Sequence, residues 1–328
     1  MNIIDFHNHF FPQEYLTKIQ TNPSNVKITF DSENNPLLHY PGDYNIIVRG
    51  HRDIEYRKDV LNQNGISKQV LTFTTPGIHI ESSKRAVILA RIINDAFTEI
   101  MDEWEDHFTT LATLPLNDPV ASINELERAV SELGFKGVML FSNVNGVALS
   151  DEIYWPLYEK AEELNVVFYI HPIHPVGVEA MREYWLMPLV GFTFDTTLAA
   201  SKLVFSGVVE QFPGLKWVLA HLGGAIPYLA ERLDRGYFAF KECRKHISKP
   251  PSEYLKEFYY DSVNFDLNAL QLAIDFAGAD HIVAGSDYPH QIGSLNKMVE
   301  SIKHLNISKE EKAKISEGNV IKLLHLKK

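Results

Sequence analysis

Eight short β-rich runs, separated by helical patterns, punctuate the 328 residues of the chain, and this alternation limits what it can fold into. The runs are Ile3–His7, Gln69–Phe73, Thr109–Leu114, Gly137–Phe141, Val166–His171, Lys216–His221, Phe258–Val263 and Ile282–Asp287. Val166-Val167-Phe168-Tyr169-Ile170 is apolar without a break, as suits a parallel strand covered on both faces. Amphipathic stretches lie at Arg52–Gln63, Ser83–Trp104, Pro119–Leu133, Pro156–Leu164, Leu198–Gln211, Pro227–Phe240, Leu267–Phe276 and Lys309–Leu324. Gly65, Gly134, Gly214 and Gly278 stand where helices would end. Such alternation implies right-handed βαβ units, and eight of them predict an α/β fold, a (β/α)8 TIM barrel.

The chain exceeds the roughly 250 residues of a minimal barrel, which leaves room for additions. Phe11–Val48 is broken by Pro12, Pro23, Asn34-Asn35-Pro36 and Pro41-Gly42 around β-prone pieces such as Val26–Phe30. It reads as a small subdomain inserted after strand one, a sheet or lid over the end of the barrel that carries active sites. Pro172–Phe194 is a second excursion, after strand five. The expectation is one domain over residues 1–328, with 11–48 as the insertion.

Chemistry-bearing residues gather at the strand ends. Asp5-Phe6-His7-Asn8-His9 puts two histidines two positions apart, so that in extended backbone both imidazoles face one side. Alone, the pair is equally well two surface histidines in a turn. His171 closes the fifth strand, however, and Asp287 closes the eighth in Gly285-Ser286-Asp287-Tyr288-Pro289. Barrel enzymes build their sites from such positions. His7, His9, His171 and Asp287 therefore form a candidate ligand set for one divalent ion. Three imidazoles and a carboxylate suit Zn²⁺, with Mn²⁺, Co²⁺ or Fe²⁺ as substitutes. His221 ends the sixth strand before Gly223-Gly224, where it suits a general base or a carbonyl-polarising group; the ordinary alternative is a histidine satisfied by backbone.

Composition removes several other classes. Lys and Arg number 31 against 42 Asp and Glu, a net charge of −11, and no basic run offers a surface to nucleic acid or anionic membrane. The single cysteine, Cys243, excludes an intramolecular disulfide and points to a reducing compartment. With no basic leader and no apolar run near the ~20 residues of a membrane span, the expectation is a cytoplasmic protein.

Asp5–His9, Ile170-His171-Pro172, Phe205–Pro213, Ala220-His221-Leu222-Gly223-Gly224-Ala225, Gly285–Pro289 and Gly318–Leu324 together resemble the amidohydrolase superfamily. Within it they resemble the aminocarboxymuconate-semialdehyde decarboxylase-like branch. That resemblance implies a single divalent ion and a metal-dependent, non-oxidative decarboxylase acting on a small unsaturated or aromatic carboxylate. Metal-dependent hydrolysis of a lactone or amide at the same site is the alternative, and a barrel that binds metal without turnover is a third. No lysine stands at the strand-four end Val138-Met139-Leu140-Phe141, against a carbamylated-lysine bridge and a binuclear centre.

The resemblance also implies roles for residues that spacing does not reveal. Arg49 matches a substrate-binding arginine, Trp185 an aromatic pocket wall, and Arg232 an arginine that reaches across a dimer interface into the neighbouring site, implying a homodimer or higher oligomer. His290 stands where the branch has phenylalanine, and His174 adds a histidine beyond strand five; each is either a pocket residue or an ordinary loop histidine. His221 and Asp287 are then the catalytic pair, with His221 taking or relaying a proton that Asp287 passes to the carbon losing CO₂.

Overall fold

The computed structural model describes residues 2–40 and 43–327, so the Pro41-Gly42 dipeptide lies outside the described residues. Eight parallel strands line the centre: β1 (Ile4–Asp5), β2 (Lys68–Leu71), β3 (Phe108–Thr110, continued by Ala112–Thr113), β4 (Gly137–Phe141), β5 (Val167–His171), β6 (Lys216–Leu219), β7 (Tyr259–Asp261) and β8 (Ile282–Val283). β1, β2 and the first half of β3 pair in one ladder, and the second half of β3 carries the pairing on through β4 to β8. Leu111 joins the halves of β3, and the Phe6 N–H closes the circle by donating to the Ala284 carbonyl at 2.7 Å. The result is a distorted (β/α)8 barrel.

Side-chain alternation sorts the apolar residues into two layers. Ile4, Val70, Leu111, Met139, Val167, Tyr169, Val218 and Val283 fill the barrel's interior, with Leu323 and Leu324 of the terminal helix packed among them. Leu71, Val138, Phe168, Ile170, Trp217 and Ile282 point outward into the larger layer under the helices. That two-sided burial explains why the strands read as continuous apolar runs.

Each strand is followed by at least one helix: Ile54–Asn64, Ser83–Glu103, Pro119–Ser131, Trp155–Glu163, Phe192–Phe205, Ile226–Ala239, Leu267–Ala277 and Leu295–His304. Several begin on a side-chain cap, as where Asp53 accepts from the Tyr56 N–H at 2.9 Å. The sequence pattern differs from the structure in three places. The helix expected at Leu198–Gln211 begins earlier, at Phe192, and breaks where Gly207 takes φ +87°. The terminal helix is interrupted by a wider π turn over Lys314–Gly318. Leu295–His304 is a helix that the reading left out, although Leu295, Met298, Val299 and Ile302 make a buried stripe at helical spacing.

The segment after β1 forms a helix, Gln13–Thr21, and a three-stranded antiparallel sheet of Lys27–Phe30, Pro36–Tyr40 and Asp43–Ile46. Its last strand runs along the carboxyl end of the barrel. Among the described residues no helix is long and apolar enough to cross a membrane.

Candidate metal centre and active site

The seam between β1 and β8 continues above both strands and assembles the site. The Asp287 N–H donates to the His7 carbonyl at 2.8 Å, and the His9 N–H donates to the Tyr288 carbonyl at 2.8 Å. Residues 278 apart in sequence thereby share one small volume. Gly285 permits the approach: a Cβ there would stand 2.8 Å from the His7 Cβ and 3.2 Å from that of Asp261.

Three donor atoms form a nearly equilateral triangle. His7 Nε2 lies 3.1 Å from His9 Nε2, His9 Nε2 lies 3.2 Å from Asp287 Oδ1, and His7 Nε2 lies 3.3 Å from the same oxygen. Two ligands each about 2.0–2.2 Å from a shared ion stand about 3.0–3.5 Å apart, so all three edges fit one divalent cation. The opposite ring nitrogens are already engaged, His7 Nδ1 with Asp261 Oδ2 at 2.5 Å and His9 Nδ1 with Thr72 Oγ1 at 3.2 Å. Such outer partners fix the tautomer and orientation of a ligating imidazole.

His171 approaches the triangle from β5, its ring centroid 4.9 Å from that of His9 and 5.3 Å from that of His7. Its Nδ1 donates to the Pro172 carbonyl at 2.8 Å, which leaves Nε2 with its lone pair. Burial drives His9 and His171 well below the usual histidine range, so both carry the neutral form that ligates metals. For His7 burial again opposes the charge, but the Asp261 and Asp287 carboxylates prevail and hold it up at about 10. Burial works against Asp287 as an anion too, and its bonds to His7 and His9 nevertheless hold it well below the carboxylate range.

His221 completes the group. Donor atoms of His7, His171 and His221 lie within 4.8 Å of one another, so it stands beside the candidate ligands. Burial, with a further contribution from His7, lowers it to about 4, and the ring is neutral at pH 7. Its Nδ1 has no hydrogen-bond partner among the described residues. The backbone turns sharply here, with φ of +52° at His221 and +57° at Leu222, a left-handed conformation uncommon for either residue type.

Asp261 holds that turn, and the sequence reading overlooked it. Its carboxylate accepts the His221 N–H at 3.1 Å and the Leu222 N–H at 3.0 Å, and it also receives His7 Nδ1. The available signal was an acid at the carboxyl end of the seventh strand, a position that barrel sites draw on.

Asp287 of the triangle, His171 and His221 line a cavity of about 320 Å³, walled also by Ile46, Val48, Trp185, Leu189, Phe192 and Ile292 among others. Trp185 and His290 are part of this wall. Arg49 and Arg232 are not part of the wall of their own chain. Arg49 turns away: its Nε bonds Asp53 at 2.8 Å and its guanidinium covers the Tyr56 ring at 4.6 Å. This exposed side chain pairs with its own helix cap, and the structure does not bring it to the cavity. Arg232 is exposed on the helix Ile226–Ala239 and is likewise absent from the cavity of its own chain. His174 is an exposed loop residue outside the cavity wall, and His51, to which no role was given, is part of that wall.

A (β/α)8 barrel with imidazole and carboxylate donors converging at its carboxyl end defines a class, that of metal-dependent barrel enzymes. The chain belongs to the amidohydrolase family, whose sequence model matches residues 4–326. It is 34% identical over 279 residues to 2-amino-3-carboxymuconate-6-semialdehyde decarboxylase of Dictyostelium discoideum, a match covering 84% of this chain and 77% of that protein. It is 33% identical over 290 residues to gamma-resorcylate decarboxylase of a Polaromonas species, covering 84% and 88%. A solved dihydroxybenzoic acid decarboxylase from Polaromonas, with bound manganese and the inhibitor 2-nitroresorcinol, superposes with a TM-score of 0.83 at 28% identity, over 99% of this chain and 98% of that one.

Proposed function

We propose that this chain is a metal-dependent carboxy-lyase that removes CO₂, without oxidation, from an unsaturated or aromatic carboxylic acid. The observation that carries the reading is the donor triangle, whose Asp287 lines an apolar cavity together with a neutral His221. Its relatives named above are decarboxylases.

In this reading His7, His9, His171 and Asp287 hold the ion, which we take to be Zn²⁺ from the donor set, with Mn²⁺ as the first substitute. When bound, the ion supplies Lewis-acid polarisation of the substrate's oxygens. The protein supplies the rest. Leu189, Phe192 and Ile292 exclude water from the ring, and Trp185 covers it. His221, neutral and with Nδ1 unpartnered among the described residues, takes a proton from an acidic group of the substrate or from water and hands it to the Asp287 carboxylate, which delivers it to the carbon that must be protonated before CO₂ departs. The segment 11–48 acts as a lid, supported by Tyr44, Asn45 and Ile46 in the cavity wall.

The same proposal includes a homodimer and a cytoplasmic location. Exposed Phe194, Leu198, Tyr228 and Phe238 on the helices that carry Arg232 and its neighbour support the first, and the lone Cys243 supports the second.

The test is CO₂ release by protein loaded with Zn²⁺ or Mn²⁺, offered 2,6-dihydroxybenzoate, 6-methylsalicylate and aminocarboxymuconate semialdehyde beside lactones and amides. CO₂ from at least one acid, abolished by chelation and by His221→Ala, is the expected result. Ring-opening or amide cleavage with no CO₂ from any acid would replace the lyase by a hydrolase.

A further inference from the structure

Arg57, on the helix Ile54–Asn64, is fully buried, and each of its five N–H groups is matched to an acceptor. Nε donates to Gln69 Oε1 at 2.6 Å, and Nη1 donates to the carbonyls of His9 at 2.6 Å and Gly50 at 3.0 Å. Nη2 donates to Asn8 Oδ1 at 2.8 Å and, more distantly, to the Tyr288 carbonyl at 3.4 Å. All five acceptors are neutral. Burial brings the pKa of the group down to about 10, so it keeps its charge at pH 7. Buried guanidinium is costly and is ordinarily paired with a carboxylate, so a cation bonded to amides alone calls for an explanation.

The explanation lies in the segments that the fork reaches. His9 is a candidate ligand, Asn8 stands between the two candidate histidines, and Tyr288 follows the candidate ligand Asp287. The Tyr288 carbonyl also receives the His9 N–H at 2.8 Å, so the two halves of the donor triangle meet on an acceptor that Arg57 holds. The guanidinium lies 4.9 Å from the centroid of the Tyr288 ring, and a Cβ at Gly50 would stand 2.8 Å from that ring, so the segments meet without spare room. Gln69 extends the network: its Nε2 donates to Asp5 Oδ2 at 2.7 Å, and the Asp5 carboxylate accepts the Ser286 N–H at 3.0 Å and the Ser286 hydroxyl at 2.6 Å. Both chain neighbours of Asp287 are thereby tied to the network that holds Asn8 and His9. Lysine, with three donors on a point-like ammonium, could not make these bonds; the planar fork with five can.

From this we infer that Arg57 is a positioning residue of the metal centre: its fork ties the loop after β1 to the loop after β8 and, acting through their backbones, sets the spacing of His9 against Asp287. The inference rests on the proposed reading that the donor triangle holds a divalent ion, and it is independent of which bond the enzyme breaks.

The test is Co²⁺ binding to the full chain, read as Kd and as the visible absorption band of the bound ion, which reports its coordination geometry. Wild type, Arg57→Lys and Leu61→Ala are compared. Leu61, one turn along the same helix, is buried in the core, so its truncation shows what lost stability alone does to the site. Arg57→Lys keeps the charge and loses the fork; in protein that circular dichroism shows to be folded, Kd is expected to rise about 10- to 100-fold and the band to change. Leu61→Ala is expected to lower Tm while Kd stays within about threefold and the band is unchanged. Should Arg57→Lys fail to fold, Gln69→Leu decides by the same two readings: it removes the Nε acceptor and the link to Asp5, leaves the other four bonds, and is expected to raise Kd about tenfold. A wild-type Kd and band in the folded variant, or an equal loss in Leu61→Ala, would overturn the positioning role. No Co²⁺ binding by the wild type would refute the metal reading and this inference with it, whereas wild-type binding that the substitution leaves unaltered refutes this inference alone.

Discussion

Asp261 is the residue through which the metal side and the proton-transfer side of the cavity are joined, since one carboxylate orients His7 and clamps the turn that presents His221. Asp261→Asn keeps the shape but offers an N–H where the His221 amide and His7 Nδ1 require acceptors. We expect kcat to fall about 10- to 100-fold with a smaller change in KM, and metal affinity to weaken in the same range. Steady-state kinetics with metal analysis would check it, and unchanged values for both would remove Asp261 from the site. Arg49 gives the opposite prediction. Its pairing with Asp53 is exposed, so Arg49→Ala should change kcat/KM by less than about threefold, as for a surface pair; a loss of a hundredfold would show that it swings into the cavity. The contrast explains what was legible residue by residue. His7, His9, His171 and Asp287 could be read because each stands at or just beyond the carboxyl end of a strand, a position set by local pattern. The aim of Arg49 depends on a helix cap four residues on, and the work of Asp261 depends on partners 40 and 254 residues away, which no local pattern records.

Among the elements, the strands were readable because burial on both faces leaves long apolar runs, and Gly137–Phe141 matches the reading end to end. The helix Gln13–Thr21 was not, because nine residues following Pro12 among prolines and asparagines look like loop until their buried Tyr15, Leu16 and Ile19 are seen against the barrel. The link between β2 and its helix permits a pH prediction. His79 is buried there, its ring 5.2 Å from that of Phe141, and burial, with His174 adding to it, lowers its pKa to about 4. Because the folded value lies below the unfolded 6.5, the unfolded chain binds the proton first as pH drops. The stability that neutral His79 contributes is full above about pH 6.5 and is lost as pH falls toward 4. A shift of this size corresponds to about 3 kcal/mol at most. Urea unfolding at pH 7 and at pH 4.5 should therefore show a smaller acid loss for His79→Phe than for the wild type. An equal loss in both would mean that His79 titrates as it does in water.

At the scale of the whole molecule, the donor triangle sits on the one seam where the ends of the chain meet. β1 and β8 are held by backbone bonds such as that from Phe6 to Ala284, and Asn319 braces the seam from below, its side chain donating to the carbonyls of Ala279 at 2.8 Å and Ile282 at 2.6 Å. An ion shared by His7, His9 and Asp287 would bind the folded state alone, because these ligands have no common geometry in the open chain. Metal and barrel closure are then thermodynamically linked: at a hundredfold excess over Kd the ion adds about 2.7 kcal/mol of stability. Chelation should lower Tm by a few degrees, and Zn²⁺ or Mn²⁺ should restore it. Asp287→Asn should abolish most of that response, since one corner of the triangle loses its charge and with it the buried carboxylate that faces two imidazoles. Differential scanning calorimetry of both proteins, with and without chelator, makes the comparison. A Tm indifferent to chelator in the wild type would mean that the seam holds without an ion and that the three donors converge for some purpose other than coordination.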